Sequence, residues 1–311
     1  MQAVQINKYG DNSVLEQVDI PIPKILPDQV LVKVKYASVN PVDYKIRSGF
    51  MASVLPKSFP FTLGWEASGI ITDTGHDVLN YKTGDEIILM SNFIQGGTYA
   101  EYVAVNAGEI MLKPTSLDFA NAAVIPFSLG TAYTALLMDT QIMPGQKLLI
   151  LGAGGAVGRM AIQIAKNLGL EVTGTAKGND IQELLSLGVD HVVDYTKADY
   201  FDALNDFDVV LDLVGGETQA KSFKTLRKGG TIVSTTQPPD IGELQHYGLN
   251  GKMTRTKCDP EKFAMPLQWL EEGKIKVKKP QIMNFGSAKE ALALVENREA
   301  KSKIVLSLKY L

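Results

Sequence analysis

The 311 residues include one cysteine, Cys258, and three histidines, His76, His191 and His246. A single thiol excludes an intramolecular disulfide and any multi-cysteine metal site, and it fits a reducing cytoplasm. The histidines are far apart in sequence and none has metal-ligand spacing. Neither sign of charge dominates: 31 Lys and Arg against 34 Asp and Glu leave a net −3. No basic surplus therefore points to nucleic acid or to an anionic membrane. No apolar run approaches the length expected of a bilayer span. The N-terminus, Met1-Gln2-Ala3-Val4-Gln5-Ile6, alternates like a strand and does not read as a signal peptide. Repeats and low-complexity segments are missing, as is any Ser-His-Asp or paired-carboxylate pattern. The difficult chemistry then falls to a cofactor, with the protein binding and orienting it.

What the chain does have is centred on Leu148-Leu149-Ile150-Leu151-Gly152-Ala153-Gly154-Gly155-Ala156-Val157-Gly158. An apolar run ends in a glycine cluster, and Met160, Ile162, Ile164, Ala165 and Leu168 continue in a helical pattern up to Gly169. Strand, glycine turn and helix in that order make a phosphate cradle for a dinucleotide. Glycine lets the backbone approach a pyrophosphate, and the free N–H groups at the helix start (Ala156, Val157, Gly158) face its charge. Two spacings are open. Gly152, Gly154 and Gly158 read G-x-G-x-x-x-G, while Gly152, Gly155 and Gly158 read G-x-x-G-x-x-G.

Up to about Lys113 the texture is that of short strands with turn signals between them, such as Val30–Tyr36, Glu86–Met90 and Tyr99–Val105, which predicts a compact barrel or sandwich. It changes near Pro114. Ser116 or Asp118 caps a helix, and strands then alternate with helices: 170–175, 191–194, 207–213 and 230–235 are the strands that follow the cradle. Apolar strands alternating with helices predict an α/β class with a doubly wound parallel sheet. The expected division is a β-rich domain over 1–120, completed by 258–311, and a Rossmann domain over 121–257. Two further helices, near 261–272 and 287–297, and a last strand, 303–308, make a tail that packs back on the N-terminal part.

Four stretches together resemble the medium-chain dehydrogenase/reductase superfamily, in its zinc-independent quinone-oxidoreductase (zeta-crystallin-like) branch. They are Val39-Asn40-Pro41-Val42-Asp43-Tyr44-Lys45-Ile46-Arg47-Ser48-Gly49, Leu63-Gly64-Trp65-Glu66-Ala67-Ser68-Gly69, Gly84-Asp85-Glu86-Ile87, and the cradle through Ala165-Lys166. The resemblance spans nearly the whole chain. It implies a GroES-like catalytic domain beside the Rossmann domain, and a homodimer paired through Rossmann edge strands. Zinc-dependent members hold the metal with Cys, His and Cys. The matching positions here are Asn40, Trp65 and Phe127, which supply no thiolate or imidazole, so no metal is expected.

NAD-specific Rossmann folds carry an acidic residue near the end of the second strand. Here that strand ends Thr173-Gly174-Thr175-Ala176-Lys177, with a lysine suited to a 2′-phosphate. The resemblance places Tyr195 beside the same phosphate, and Thr131 against the nicotinamide half. Val214 and Thr235 follow the fourth and fifth strands, at the carboxyl ends where such sheets bind ligands. Asp180 stands near enough to count against NADPH. Asn40 and Pro41 read as the start of a short helix on which Asp43 and Arg47, four apart, can pair. The resemblance puts Lys45 near the acceptor carbonyl, where its charge opposes developing enolate charge; the plain alternative is an exposed helix lysine. Tyr44, Tyr99 and Tyr133 are either proton donors or pocket walls.

These readings converge on a cytoplasmic, NADPH-dependent, zinc-independent reductase of quinones or α,β-unsaturated carbonyls. Catalytic candidates are Lys45, Asn40 and Tyr44. No nucleic acid or membrane partner is expected. The rivals are an enoyl-thioester reductase and a non-catalytic NADPH-binding protein with an RNA-binding or structural role.

Overall fold

The computed structural model describes residues 1–92, 94–256 and 259–308. Cys258, and with it the expected boundary at 257/258, lies outside the described residues. The first strands are β1 (Gln2–Ile6), β2 (Leu15–Asp19), β3 (Gln29–Val39), β4 (Phe61–Thr62), β5 (Glu66–Thr74), β6 (Glu86–Met90), β7 (Tyr102–Asn106) and β8 (Ile110–Leu112). Then come β9 (Lys147–Leu151), β10 (Glu171–Ala176), β11 (His191–Asp194), β12 (Phe207–Asp212), β13 (Leu226–Ser234) and β14 (Asn250–Met253). Near the end lie β15 (Gln281–Asn284) and β16 (Ile304–Ser307). Four helices carry the argument: α1 (Pro41–Arg47), α2 (Phe119–Ala122), α3 (Ile125–Tyr133) and α4 (Ala156–Asn167). A fifth, α5 (Asp180–Ser186), follows β10.

Contacts gather the described residues into two units, Met1–Pro126 with Lys257–Ala264 and Val277–Leu311, and Phe127–Thr256 with Met265–Lys276. The division thus falls at Phe127, not at residue 121, and part of the expected tail belongs with the Rossmann unit. The reason is visible at Gln163 on α4. Its Oε1 accepts the Lys276 N–H at 2.6 Å, and its Nε2 donates to the Lys276 carbonyl at 3.1 Å.

The first unit holds two sheets. A three-stranded one runs β2-β1-β4; a seven-stranded one runs β15-β16-β3-β5-β6-β8, with β7 also pairing β3. Strand β16 pairs antiparallel with β3, Ile304 opposite Val39, so the end of the chain completes the sheet begun near its start. Between them lies an apolar core that includes Ile6, Val32, Trp65, Ile87, Phe285, Leu292 and Leu306.

The second unit is one six-stranded sheet in the order β11-β10-β9-β12-β13-β14, with every neighbouring pair parallel. Two halves run outward from β9, which is the doubly wound Rossmann order. Leu148, Leu149, Ile150 and Leu151 of β9 are all fully buried, as a central strand covered on both faces requires. Strand β14 went unforeseen: Asn250, Gly251 and Lys252 are exposed at the sheet edge and carry no apolar pattern.

One expectation needs correction. The helical stretch Phe119–Asp139 is 21 residues long with mean hydropathy 1.3, enough by length and composition to cross a bilayer. Two-thirds of its most apolar window (67%) is buried inside the protein, so the apolar side chains serve packing. It begins as foreseen, with the Asp118 carboxylate accepting the Asn121 N–H at 2.8 Å.

Candidate functional site

The Rossmann unit builds its cradle at the carboxyl end of β9. Gly152 has φ +80°, a conformation that side-chain-bearing residues rarely adopt. Its N–H donates to Thr175 Oγ1 at 3.0 Å, and the next N–H, of Ala153, donates to the Thr175 carbonyl at 3.1 Å. Thr175 is therefore buried and engaged in fastening the turn to β10. Gly158 lies one turn into the cradle helix, where a Cβ would stand 2.6 Å from both Cα and O of Ala153. Gly155 is different. It is exposed, precedes α4 with extended backbone, and a Cβ on it would approach nothing nearer than the Gly152 carbonyl at 3.5 Å. Gly154 is close-packed as well, since a Cβ on it would stand 2.9 Å from Asp180 Oδ2. The protein's own packing demands glycine at 152 and 158 and leaves 155 open to an approaching group. Ala156, Val157 and Gly158 are the first residues of a 12-residue helix, so their N–H groups have no intrahelical acceptor. The residues present fit a dinucleotide pyrophosphate.

Lys177 follows β10 directly, and its Nζ lies 5.9 Å from the centre of the Tyr195 ring. The Tyr195 N–H donates to the Ala176 carbonyl at 3.2 Å, which holds that ring beside the end of β10. Both side chains are exposed, so this pair, 18 residues apart in sequence, forms a cationic and aromatic edge. Asp180 does not face it freely: Arg159 Nη2 binds its Oδ1 at 2.7 Å.

At the ends of β12 and β13 the organising residue is Asp212, which is fully buried. Its Oδ1 accepts the N–H groups of Val214 at 3.0 Å and Gly215 at 2.8 Å. Its Oδ2 accepts Gln219 Nε2 at 2.9 Å and Ser234 Oγ at 2.8 Å. Val214 is half exposed, and its Cγ2 lies 3.0 Å from where a Cβ on Gly152 would stand, so it borders the cradle. The Thr235 N–H donates to the Asp212 carbonyl at 3.1 Å, which places Thr235 beside the same turn. Thr131 is buried on α3; its hydroxyl donates to the Phe127 carbonyl at 2.6 Å and accepts from Thr256 at 2.8 Å.

The other candidates lie in the first unit. Asn40 precedes α1 and Pro41 opens it, as the sequence predicts. The Asp43 carboxylate accepts the Asn40 N–H at 2.7 Å. The Asn40 amide is turned to a buried ionic pair: its Nδ2 donates to Glu66 Oε2 at 3.1 Å, and its Oδ1 accepts from Lys303 Nζ at 2.5 Å. Lys303 also meets Glu66 at 3.0 Å, with the Glu66 side chain wholly buried. The expected Asp43–Arg47 pair does not form. Arg47 instead binds Glu296 through both terminal nitrogens, at 3.0 and 2.9 Å, and donates to the Gly10 carbonyl and to Asn12. A helix face allowed the local pair, but burial and α1's neighbours chose a carboxylate 249 residues away. Asp43 is wholly buried and bonded to the Tyr99 hydroxyl, and desolvation pushes its pKa up to about 7. Tyr99 is thus a buried wall and not an exposed proton donor. Tyr44 is half-buried against the apolar core, whereas the half-buried Lys45 ammonium has no hydrogen-bond or ion-pair partner among the described residues. Sequence reasoning missed Arg159, Asp212, Glu66 and Lys303. Only Glu66, inside the Gly64-Trp65-Glu66 stretch, carried a signal.

Among the described residues no group of three or more His, Cys, Asp or Glu is arranged to hold a metal ion. Asn40 and Trp65 are both buried, with the Trp65 ring 6.2 Å from Phe61.

Two family models match the chain, "Alcohol dehydrogenase GroES-like domain" over residues 26–115 and "Zinc-binding dehydrogenase" over 187–306. A 2-methylene-furan-3-one reductase from Solanum lycopersicum is 34% identical, across 98% of this chain and 79% of its own length. An NADPH-dependent alkenal/one oxidoreductase (chloroplastic) from Arabidopsis thaliana is 33% identical, across 98% of this chain and 79% of its own length. The solved quinone oxidoreductase from Coxiella burnetii superposes with a TM-score of 0.92 at 31% identity, covering 99% of each chain. With the doubly wound sheet, the cradle and the Asn40-Pro41 helix start, these matches establish that the chain belongs to the medium-chain dehydrogenase/reductase superfamily, in its quinone-oxidoreductase-like branch.

Proposed function

We propose that this protein is an NADPH-dependent, zinc-independent reductase of quinones and α,β-unsaturated carbonyls. The observation that carries the cofactor choice is the Lys177–Tyr195 pair at the end of β10, with the Asp180 carboxylate that follows it bound by Arg159. A lysine there neutralises a 2′-phosphate, while an NAD-specific site would present an acid to the ribose hydroxyls. The relative named as NADPH-dependent and the relatives named as quinone and alkenal/one oxidoreductases support the same reading. They favour reductase chemistry over an enoyl-thioester substrate or a non-catalytic role. Bound NADPH supplies a hydride. The chain's own part is to hold and to polarise. The N–H groups of Ala156, Val157 and Gly158 face the pyrophosphate charge, Val214 and Thr235 border the cradle, and Lys177 takes the 2′-phosphate. Reducing an enone builds negative charge on its carbonyl oxygen, and the Lys45 ammonium, without a partner among the described residues, is suited to oppose it.

Zinc independence rests on residue types. One matching family model carries a zinc-binding description, yet the three ligand positions read Asn40, Trp65 and Phe127. Stoichiometric zinc in the purified protein, with activity lost to a chelator, would overturn it. A homodimer through Rossmann edge strands and a cytoplasmic location belong to the same proposal. Light scattering at 33.8 kDa would remove the dimer, and cell fractionation tests the location.

The cofactor choice is tested by fluorescence titration with NADPH and NADH. Lys177→Glu replaces an attractive charge by a repulsive one, so NADPH binding should weaken at low salt while NADH binding changes little, and salt should shrink the difference because Lys177 is exposed. An unchanged ratio would remove Lys177 from the site.

A further inference from the structure

Arg159, on the cradle helix α4, is only 8% exposed and is paired with two carboxylates. Its Nε donates to the Gly154 carbonyl at 2.8 Å, inside the cradle turn itself. Its Nη2 meets Asp180 Oδ1 and Glu183 Oε2, each at 2.7 Å. Both carboxylates sit on α5, directly after the Lys177 turn, and the Asp180 N–H donates to the Lys177 carbonyl at 3.2 Å. Asp180 also lies against the cradle: its Oδ2 is 2.9 Å from where a Cβ on Gly154 would stand. Two acids thus follow the Lys177 turn on α5, close after the strand end where an NAD-specific fold carries its ribose-binding acid, and a buried guanidinium faces both of them.

We propose that Arg159 is a specificity-determining residue, which holds Asp180 and Glu183 away from the ribose and so admits a 2′-phosphate. The inference rests on the NADPH reading of the cradle. Left unheld, the two carboxylates would repel a dianionic phosphate and offer acceptors to a 2′-hydroxyl. Held, they form with Arg159 a group of net −1 that Lys177 offsets. The same guanidinium ties α5 to the Gly154 carbonyl, so charge and loop position are set by one side chain. A merely structural role would weaken both cofactors alike. A role in specificity moves their ratio.

The test is equilibrium binding of NADPH and NADH to the full chain by calorimetry, with thermal melts as a fold control. Arg159→Met should lower the NADPH-to-NADH affinity ratio by about tenfold or more, since two like charges then face the phosphate. Adding Asp180→Asn to Arg159→Met should recover most of that ratio. If Arg159→Met does not fold, Asp180→Asn with Glu183→Gln reads the same device from the other side. The guanidinium charge is then no longer offset, and NADPH should bind several-fold tighter with NADH unchanged. Equal affinities in the unaltered protein would overturn the NADPH reading and this inference with it. A clear NADPH preference that survives Arg159→Met, or an equal loss for both cofactors, would overturn this inference alone.

Discussion

The Tyr99 hydroxyl donates to Asp43 Oδ2 at 2.6 Å, with both side chains fully buried. The other carboxylate oxygen, Oδ1, is buried with no hydrogen-bond partner among the described residues. Loss of hydration therefore outweighs the bonds from Tyr99 and Asn40 and the attraction of Lys303, and the pKa rises from 3.8 to about 7. An acid raised in this way holds its proton more firmly in the folded chain. Its contribution to stability is fully present below about 3.8 and is lost as pH climbs to about 7, at up to about 1.4 kcal/mol per pH unit. Asp43→Asn removes this titration. Urea denaturation between pH 4.5 and 8 should show the wild type losing stability relative to the variant as pH rises. Parallel curves would mean that Asp43 ionises at an ordinary pH.

The cradle glycines separate packing from binding. Gly158→Ala forces a Cβ to 2.6 Å from the backbone of Ala153. The helix must move off the turn that follows β9, at a cost of about 1 to 3 kcal/mol for such overpacking. Gly155→Ala meets only the Gly152 carbonyl at 3.5 Å, with an ordinary φ of −72°. It should melt at the wild-type temperature yet bind NADPH at least about tenfold more weakly, because its methyl occupies the approach of the pyrophosphate. If Gly155→Ala binds normally, the phosphate does not pass over that residue.

What could be read from the sequence was what is decided locally. The Leu148–Leu151 run and the glycines after it show their strand and turn through burial and chirality alone. Lys177 was legible at the end of the second Rossmann strand, whereas Tyr195 came from the family resemblance; parallel strands, which bring their carboxyl ends to one side of the sheet, are why the two meet. Choices among several possible partners were not legible. Arg47 had Asp43 one helical turn away and took Glu296 instead, because α1 packs where the C-terminal segment supplies a half-buried carboxylate. Asp180 read by itself counts against NADPH, and nothing local in the sequence marks its ion pair with Arg159, 21 residues earlier. Strand β14 is polar and exposed, so neither periodicity nor burial marked it.

The most exacting prediction concerns Lys45. It sits on a helix whose start is set by Asn40, Pro41 and the Asp43 carboxylate, and its ammonium has no partner among the described residues. The hypothesis is that this charge acts when negative charge builds on the acceptor oxygen. A group that acts only in the transition state lowers kcat on removal, with little effect on cofactor affinity. Losing one such donor costs about 2.7 to 4 kcal/mol, a rate factor on the order of a hundred to a thousand. Lys45→Met keeps the apolar stem and deletes the charge. It should slow enone reduction strongly and quinone reduction less, because a quinone is already a good hydride acceptor. Arg47→Met is the matched control on the same helix. It removes the two-pronged contact with Glu296 and the bonds to Gly10 and Asn12, and should lower stability by about 2 kcal/mol, less than for a wholly buried pair because Glu296 is partly solvated. Its turnover per folded molecule should stay near the wild-type value. If Lys45→Met reduces an enone at the wild-type rate, the lysine is a helix-surface charge, and cofactor and pocket shape carry the catalysis without it.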